Sequence, residues 1–175
     1  MKKGIIVLLM LGMGMLSVQA QTKAERKQAR KEKATAIYME TKELIDSGAF
    51  IFKGDWANPL GGARISIINN LNSMTLKEGN LKAFLPYFGV AHRSVGYANN
   101  RGIEFDVPIK ESDYTVTVDD EKQRIRIEFS AKEKNELFNA TLTVYSKGRA
   151  SMTIASSNRT SINYTGTVTA LEGEL

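Results

Sequence analysis

The chain has 175 residues, 42% hydrophobic and 25% charged, which is material for one ordinary domain, and a net charge of +5. It has no cysteine, which excludes disulfides, a lipidated cysteine anchor, thiolate metal sites and cysteine catalysis, and its single histidine, His92, cannot supply the usual imidazole set of a zinc hydrolase. Residues 1–20 carry +2 and residues 21–36 carry +4, so residues 37–175 are left at −1 and the basicity makes no case for a nucleic-acid-binding domain.

Residues 1–20 have the parts of a secretory signal peptide: Lys2 and Lys3, an apolar and glycine run over 4–16, then small residues up to Ala20. The apolar run is shorter than the roughly 20 residues a spanning helix needs. The expectation is an exported protein, periplasmic or extracellular, cut before Gln21 and without a transmembrane segment once the leader is gone.

Residues 21–46 read as one helix, with Thr22 and Glu25 at capping-box spacing and Gly48 just past the end as a C′ residue. Its first half is polar on all sides, whereas Ile37, Tyr38, Thr41, Leu44 and Ile45 fall near the spacing of a packed face. The reading is a basic helical arm over 21–47 whose second half docks on a domain over 48–175. A membrane-surface helix needs an apolar face that the arm lacks.

From Gly48 onward the period changes to two. Candidate strands cover 49–56, 64–68, 74–77 and 81–85, with Asn69, Asn70 and Asn72 as turn residues and Glu78-Gly79-Asn80 as a tight return. Further strands follow over 103–109, 114–118, 125–129, 138–144, 150–154 and 162–168, each alternating apolar and polar residues. The connections are too short for parallel crossovers. The fold class is therefore mainly β: an antiparallel meander of about eight to ten strands, curled or closed as a barrel, or else split into a two-sheet sandwich, with one N-terminal helix.

The stretch 85–102 interrupts this pattern with Pro86, Tyr87, Phe88, Gly89, His92, Gly96, Tyr97 and Gly102. Loops held between rigid strands are common sites of function. Tyr87, Phe88 and Tyr97 could form a platform for a sugar or apolar ligand, with His92 beside them and Arg93 and Arg101 at the rim. The competing reading has Tyr87 and Phe88 closing the end of the core while the glycines make turns.

Other chemistries are weaker. A serine triad through His92 has no Gly-x-Ser-x-Gly elbow. Glu104 and Asp106, two apart on a strand, share a face and are the best carboxylate pair for hydrolysis, although such chemistry also needs a cleft. Asp119-Asp120-Glu121 clusters hard oxygen ligands without EF-hand spacing and reads as a hairpin tip. Asn139, Asn158 and Asn163 head N-x-Thr triplets, a pattern common by chance in threonine-rich strands. Ser151, Thr153, Asn163, Thr165 and Thr167 form an outward face of small polar side chains, suited to a glycan or another strand edge.

A basic arm behind a leader, then Gly48-Ala49-Phe50, Leu85-Pro86-Tyr87-Phe88-Gly89, Gly102-Ile103-Glu104-Phe105 and the tail Arg159-Thr160-Ser161-Ile162-Asn163-Tyr164-Thr165-Gly166 together resemble a family of small exported proteins of unknown function found mainly in Bacteroidetes. The resemblance implies an envelope or extracellular location and a β-rich domain, and brings no catalytic residues with it. The functional expectation is an exported non-enzymatic β-domain that binds a small apolar molecule, a glycan or an envelope partner, with no cofactor, no metal and no nucleic acid. The alternatives are an interaction protein docking an acidic partner through the basic helix and, third, a carboxylate hydrolase.

Overall fold

The computed structural model describes residues 23–92 and 102–171. Two compact units divide the chain between Lys33 and Ala34. Of the first, residues 23–33 are described, as the exposed opening turns of the helix α1 (Lys23–Asp46), where Gln28 donates to Glu32 at 2.8 Å one turn on. The helix ends where expected: Gly48 takes a φ of +67°, a left-handed conformation that costs glycine little, and its N–H donates to the Ile45 carbonyl.

Ten strands follow among the described residues: β1 (Phe50–Pro59), β2 (Ile65–Ser66), β3 (Ser73–Lys77), β4 (Asn80–Pro86), β5 (Gly102–Pro108), β6 (Tyr114–Asp119), β7 (Arg124–Glu133), β8 (Glu136–Tyr145), β9 (Arg149–Ser156) and β10 (Ile162–Ala170). They form one sheet in the order β5-β4-β3-β1-β10-β9-β8-β7-β6, with β2 paired to β1 off this path. All described ladders are antiparallel. The sandwich alternative falls away, and the expected single meander is two, β3 to β5 and β6 to β10, joined by β1 lying between β3 and β10. β5 and β6 are neighbours in sequence and the two ends of the sheet path, so the sheet must curl until its ends approach. Phe105 of β5 meets Phe129 of β7 and Phe138 of β8 at ring separations of 6.4 and 5.3 Å across the interior. The result is a curled half-barrel.

The period of two sets the core. Phe50 and Phe52 of β1, Leu81, Ala83 and Leu85 of β4, and Ile125, Ile127, Phe129 and Ala131 of β7 are buried, while their neighbours along each strand are at least partly exposed. Burying each large apolar side chain stabilises the fold by about 1.5–3 kcal/mol. One irregularity matters. The register of β1 against β10 shifts between Gly54 and Trp56, so Asp55 is an extra residue and the strand bulges there. Gly54 faces Gly166 across the pair, and a Cβ on Gly166 would run into the Lys53 carbonyl.

The second half of α1 docks through Tyr38, Thr41 and Ile45. Tyr38 donates its hydroxyl to Asp120 at 2.8 Å, and Gln123 donates to Thr35 at 3.1 Å, both residues lying in the β6–β7 turn. Further along the helix, Asp46 lies near enough to Tyr114, at the start of β6, to add to the effect of burial in raising that phenol. The docked half therefore runs along β6, antiparallel to it.

Candidate functional site

Two irregular segments stand out against the regular ladders. The first is the opening half of the stretch singled out above. β4 ends at Pro86, and the chain through His92 is tied to the β9–β10 connection. The Thr160 N–H donates to the Val90 carbonyl (2.9 Å), the Val90 N–H to Thr160 Oγ1 (3.1 Å) and the His92 N–H to the Asn158 carbonyl (2.8 Å). The Tyr87 hydroxyl sits 2.9 Å from the Thr160 carbonyl, 3.0 Å from that of Val90 and 2.8 Å from Thr160 Oγ1. Below it, Tyr164 donates to the Pro86 carbonyl at 2.8 Å, and burial pushes its phenol pKa far up.

Behind the loop lies an ion pair that no sequence pattern announced. Arg159 donates Nε to Glu136 Oε1 (2.8 Å) and Nη2 to Oε2 (3.1 Å), a bidentate fork, and both side chains are only 7% exposed. Ser156 donates a further hydrogen bond to the same carboxylate. Arg159 Nη1 donates to the Gly102 carbonyl at 2.6 Å, the guanidinium stands over the Tyr87 ring at 5.3 Å, and the Arg159 backbone bridges Ala91. One residue thus ties both flanks of residues 93–101, Ala91 through its backbone and Gly102 through its side chain. Among the described residues no buried side-chain polar atom is left without a partner, so the charges are fully compensated.

Of the predicted ligand residues, Tyr87 is drawn inward, with its hydroxyl bonded and one ring face under Arg159. Phe88 is 39% exposed and Val90 63%, so Phe88 does not close the core as the competing reading had it. His92 is exposed. Arg93, Tyr97 and Arg101 lie outside the described residues.

The carboxylate candidates are engaged elsewhere. Asp106 accepts from Asn80 (2.7 Å) and pairs with Lys82 (3.0 Å), and these hydrogen bonds hold its carboxyl below the usual range. Asp119 accepts the Lys122 N–H (3.1 Å), its largest acidifying contact, and pairs with Lys122 and Arg124. Asp120 takes the Tyr38 hydroxyl and lies 3.5 Å from Lys42. Among the described residues no cluster of three potential metal ligands occurs. The polar outward residues do form a cross-strand row, Asn58, Asn163, Thr153, Thr141, Glu128 and Thr115, each opposite the next. Beside it Thr115, Glu128, Ser130, Asn139 and Thr141 line an open groove of about 420 Å³.

The second irregular segment is the β2–β3 connection, residues 67–72. Ile67 is fully buried and its N–H donates to the Asp55 carbonyl of the bulge at 2.9 Å. Asn72 Oδ1 accepts the Gly54 N–H at 2.6 Å, and its Nδ2 donates to the carbonyls of Ile67 (2.8 Å) and Asn70 (3.1 Å). A single amide therefore pins the connection onto the bulge. Ile68 and Leu71 remain 60% and 86% exposed and, with Phe84, line an open groove of about 710 Å³. A signal existed for this: Leu71 is a lone apolar residue among asparagines, and Phe84 is apolar at an outward position of β4.

This arrangement defines a class, a small curled antiparallel half-barrel with a docked N-terminal helix and a clasped loop. Its family is DUF4251, a domain of unknown function, which matches residues 13–168, and the chain belongs to it. A solved DUF4251 family protein from Bacteroides eggerthii DSM 20697 superposes with a TM-score of 0.56 at 17% identity, covering 78% of this chain and 89% of that one. No curated protein matches the chain. Among the described residues no helix is long and apolar enough to cross a membrane.

Proposed function

We propose that the chain is an exported, non-catalytic β-domain that docks an envelope partner through the exposed side chains of its clasped segment 86–92, Phe88 and Val90, with His92 beside them. Export rests on the leader pattern of residues 1–20. The observation that carries the docking reading is the clasp. Withdrawing two charges from water costs several kcal/mol per ion, and apolar residues of similar volume would fill the space at less cost. What the charged fork adds is a defined position for a segment whose apolar side chains face water. A loop held rigidly by a scaffold is where recognition residues concentrate. A partner surface suits it better than a sugar, because the Tyr87 hydroxyl is taken up by Val90 and Thr160 and one face of its ring by Arg159, which leaves apolar Phe88 and Val90 as the exposed contacts.

The test is a photo-crosslinking amino acid at position 88 or 90 in the host cell, with position 145, another exposed aromatic, as control. One discrete adduct from 88 and 90 and none from 145 is expected, and it persists when residues 21–36 are deleted. Equal background at all three positions removes the reading. Loss of the adduct on deleting 21–36 transfers recognition to the basic arm. N-terminal sequencing of envelope protein is expected to start at Gln21, and a start at Met1 overturns export.

A further inference from the structure

The larger groove lies away from the clasp, on the outer face of β1, β3 and β4. Its apolar floor is Ile51, Ile68, Leu71 and Phe84. Three of these side chains are strongly exposed, and contiguous exposed apolar surface marks binding sites more often than isolated exposed residues do. Nor can the floor relieve itself by collapse. Ile67 is anchored in the core on one side and Asn72 is bonded to the Gly54 N–H on the other, so Ile68 and Leu71 are held between two fixed points. A Cβ on Gly54 would come within 2.9 Å of both Asn72 Oδ1 and Ile67 Cδ1, so any other residue there would displace the two side chains that seat the connection. The apolar surface is preformed, which lowers the cost of binding.

Two charges of opposite sign line the same groove, Lys53 and Asp55. Among the described residues neither has an ion pair or a side-chain hydrogen bond, in contrast to Lys82, which pairs with Asp106. They flank Gly54 on the bulging strand, and no ion pair joins them. An anionic ligand alone would meet Asp55 as a like charge, and a cationic one would meet Lys53. A head group with one charge of each sign satisfies both. The volume, about 710 Å³, falls in the range of small-molecule sites.

We propose that this groove binds a single-chain zwitterionic lipid: an acyl chain on Ile51, Ile68, Leu71 and Phe84, a phosphate against Lys53 and an ammonium against Asp55. The occupant is the monomeric lipid in solution, because the groove accommodates one chain. This site shares no residue with the clasped segment 86–92 and stands whether or not that surface docks a partner.

The test titrates the mature chain with lysophosphatidylethanolamine below its micelle concentration, followed by calorimetry and by the fluorescence of Trp56, the only tryptophan, next to Asp55. Saturable one-to-one binding is expected. Leu71→Asp and, separately, Phe84→Ser weaken it about tenfold or more, and since both residues are exposed, unchanged circular dichroism is the folding control. Lys53→Glu and Asp55→Asn each weaken the zwitterion, and a fatty acid of equal chain length binds less tightly than the lysolipid. Absence of saturable binding, or binding that Leu71→Asp and Phe84→Ser leave unchanged, overturns the site. Equal affinity for fatty acid and lysolipid overturns the head-group assignment.

Discussion

The clasped loop and the β2–β3 connection solve the same problem by opposite means. Each keeps exposed apolar side chains on a fixed backbone. In residues 67–72 the fastening is one neutral amide, Asn72, bonded to backbone groups of Gly54, Ile67 and Asn70 that lie at most 18 positions away. In residues 86–92 it is a buried ion pair assembled from Glu136 and Arg159, with Gly102 57 positions from Arg159. The neutral fastening is cheap and local. The charged one joins four stretches of chain, at residues 87–91, 102, 136 and 156–159, and needs the curled sheet that brings them together.

That contrast is broken or sharpened by measurement, beginning with the charges. Arg159→Met leaves Glu136 buried without its counter-charge and is expected to cost about 3–5 kcal/mol in urea unfolding. Arg159→Met combined with Glu136→Leu should cost less than the single change. A double variant no better than the single would mean the fork adds stability and not only position. Asn72→Ala removes the partner of the Gly54 N–H and is expected to cost about 1–3 kcal/mol, with faster amide exchange confined to residues near 54 and 67. If exchange also rises at Val90 or His92, the two fastenings are coupled and the comparison fails.

Tyr87→Phe tests a single hydroxyl within the clasp, and a loss of about 0.5–1.5 kcal/mol is expected. The smallest effect lies where α1 meets the β6–β7 turn. Burial first, then the hydrogen bond to Asp120, raise the Tyr38 phenol to about 12. A folded pKa above the unfolded value means that this stabilisation is complete below pH 10 and is lost as pH rises through about 12. Asp120→Asn is expected to lower the Tyr38 midpoint, followed by tyrosinate absorbance, without bringing it fully to the ordinary value, since burial remains. Tyr164, fully buried beside the clasp, is raised chiefly by burial as well, and should stay protonated beyond the ordinary tyrosine range. An ordinary midpoint for Tyr164 would mean that water reaches the clasp.

Much of the architecture was legible because alternation is a one-dimensional signal. Phe105 between Glu104 and Asp106, or Ile127 between Arg126 and Glu128, names an inward position without knowledge of any partner strand. Gly48 and the Glu78-Gly79 return were legible for a similar reason, as few residues accept positive φ; Glu78 and Gly79 take φ of 50° and 73°. The order of strands was not, since nothing in β5 and β6 says that consecutive strands stand at opposite ends of the sheet. The site was less legible still. Tyr87 and Phe88 were recognised as aromatic residues in a loop, yet which of them faces inward depends on Thr160 and Arg159, more than 70 positions on.

By itself, then, the sequence determined the elements: a polar helix start, a docked helix end, and strands whose inward faces alternate, because backbone geometry imposes periods that apolar side chains must match. Only the tertiary structure decided that the sheet curls into a half-barrel, that Glu136 and Arg159 meet, and that Ile51, Ile68, Leu71 and Phe84 share one groove. Those outcomes rest on pairings between residues far apart in the chain, where register and sheet closure, rather than local spacing, bring side chains together.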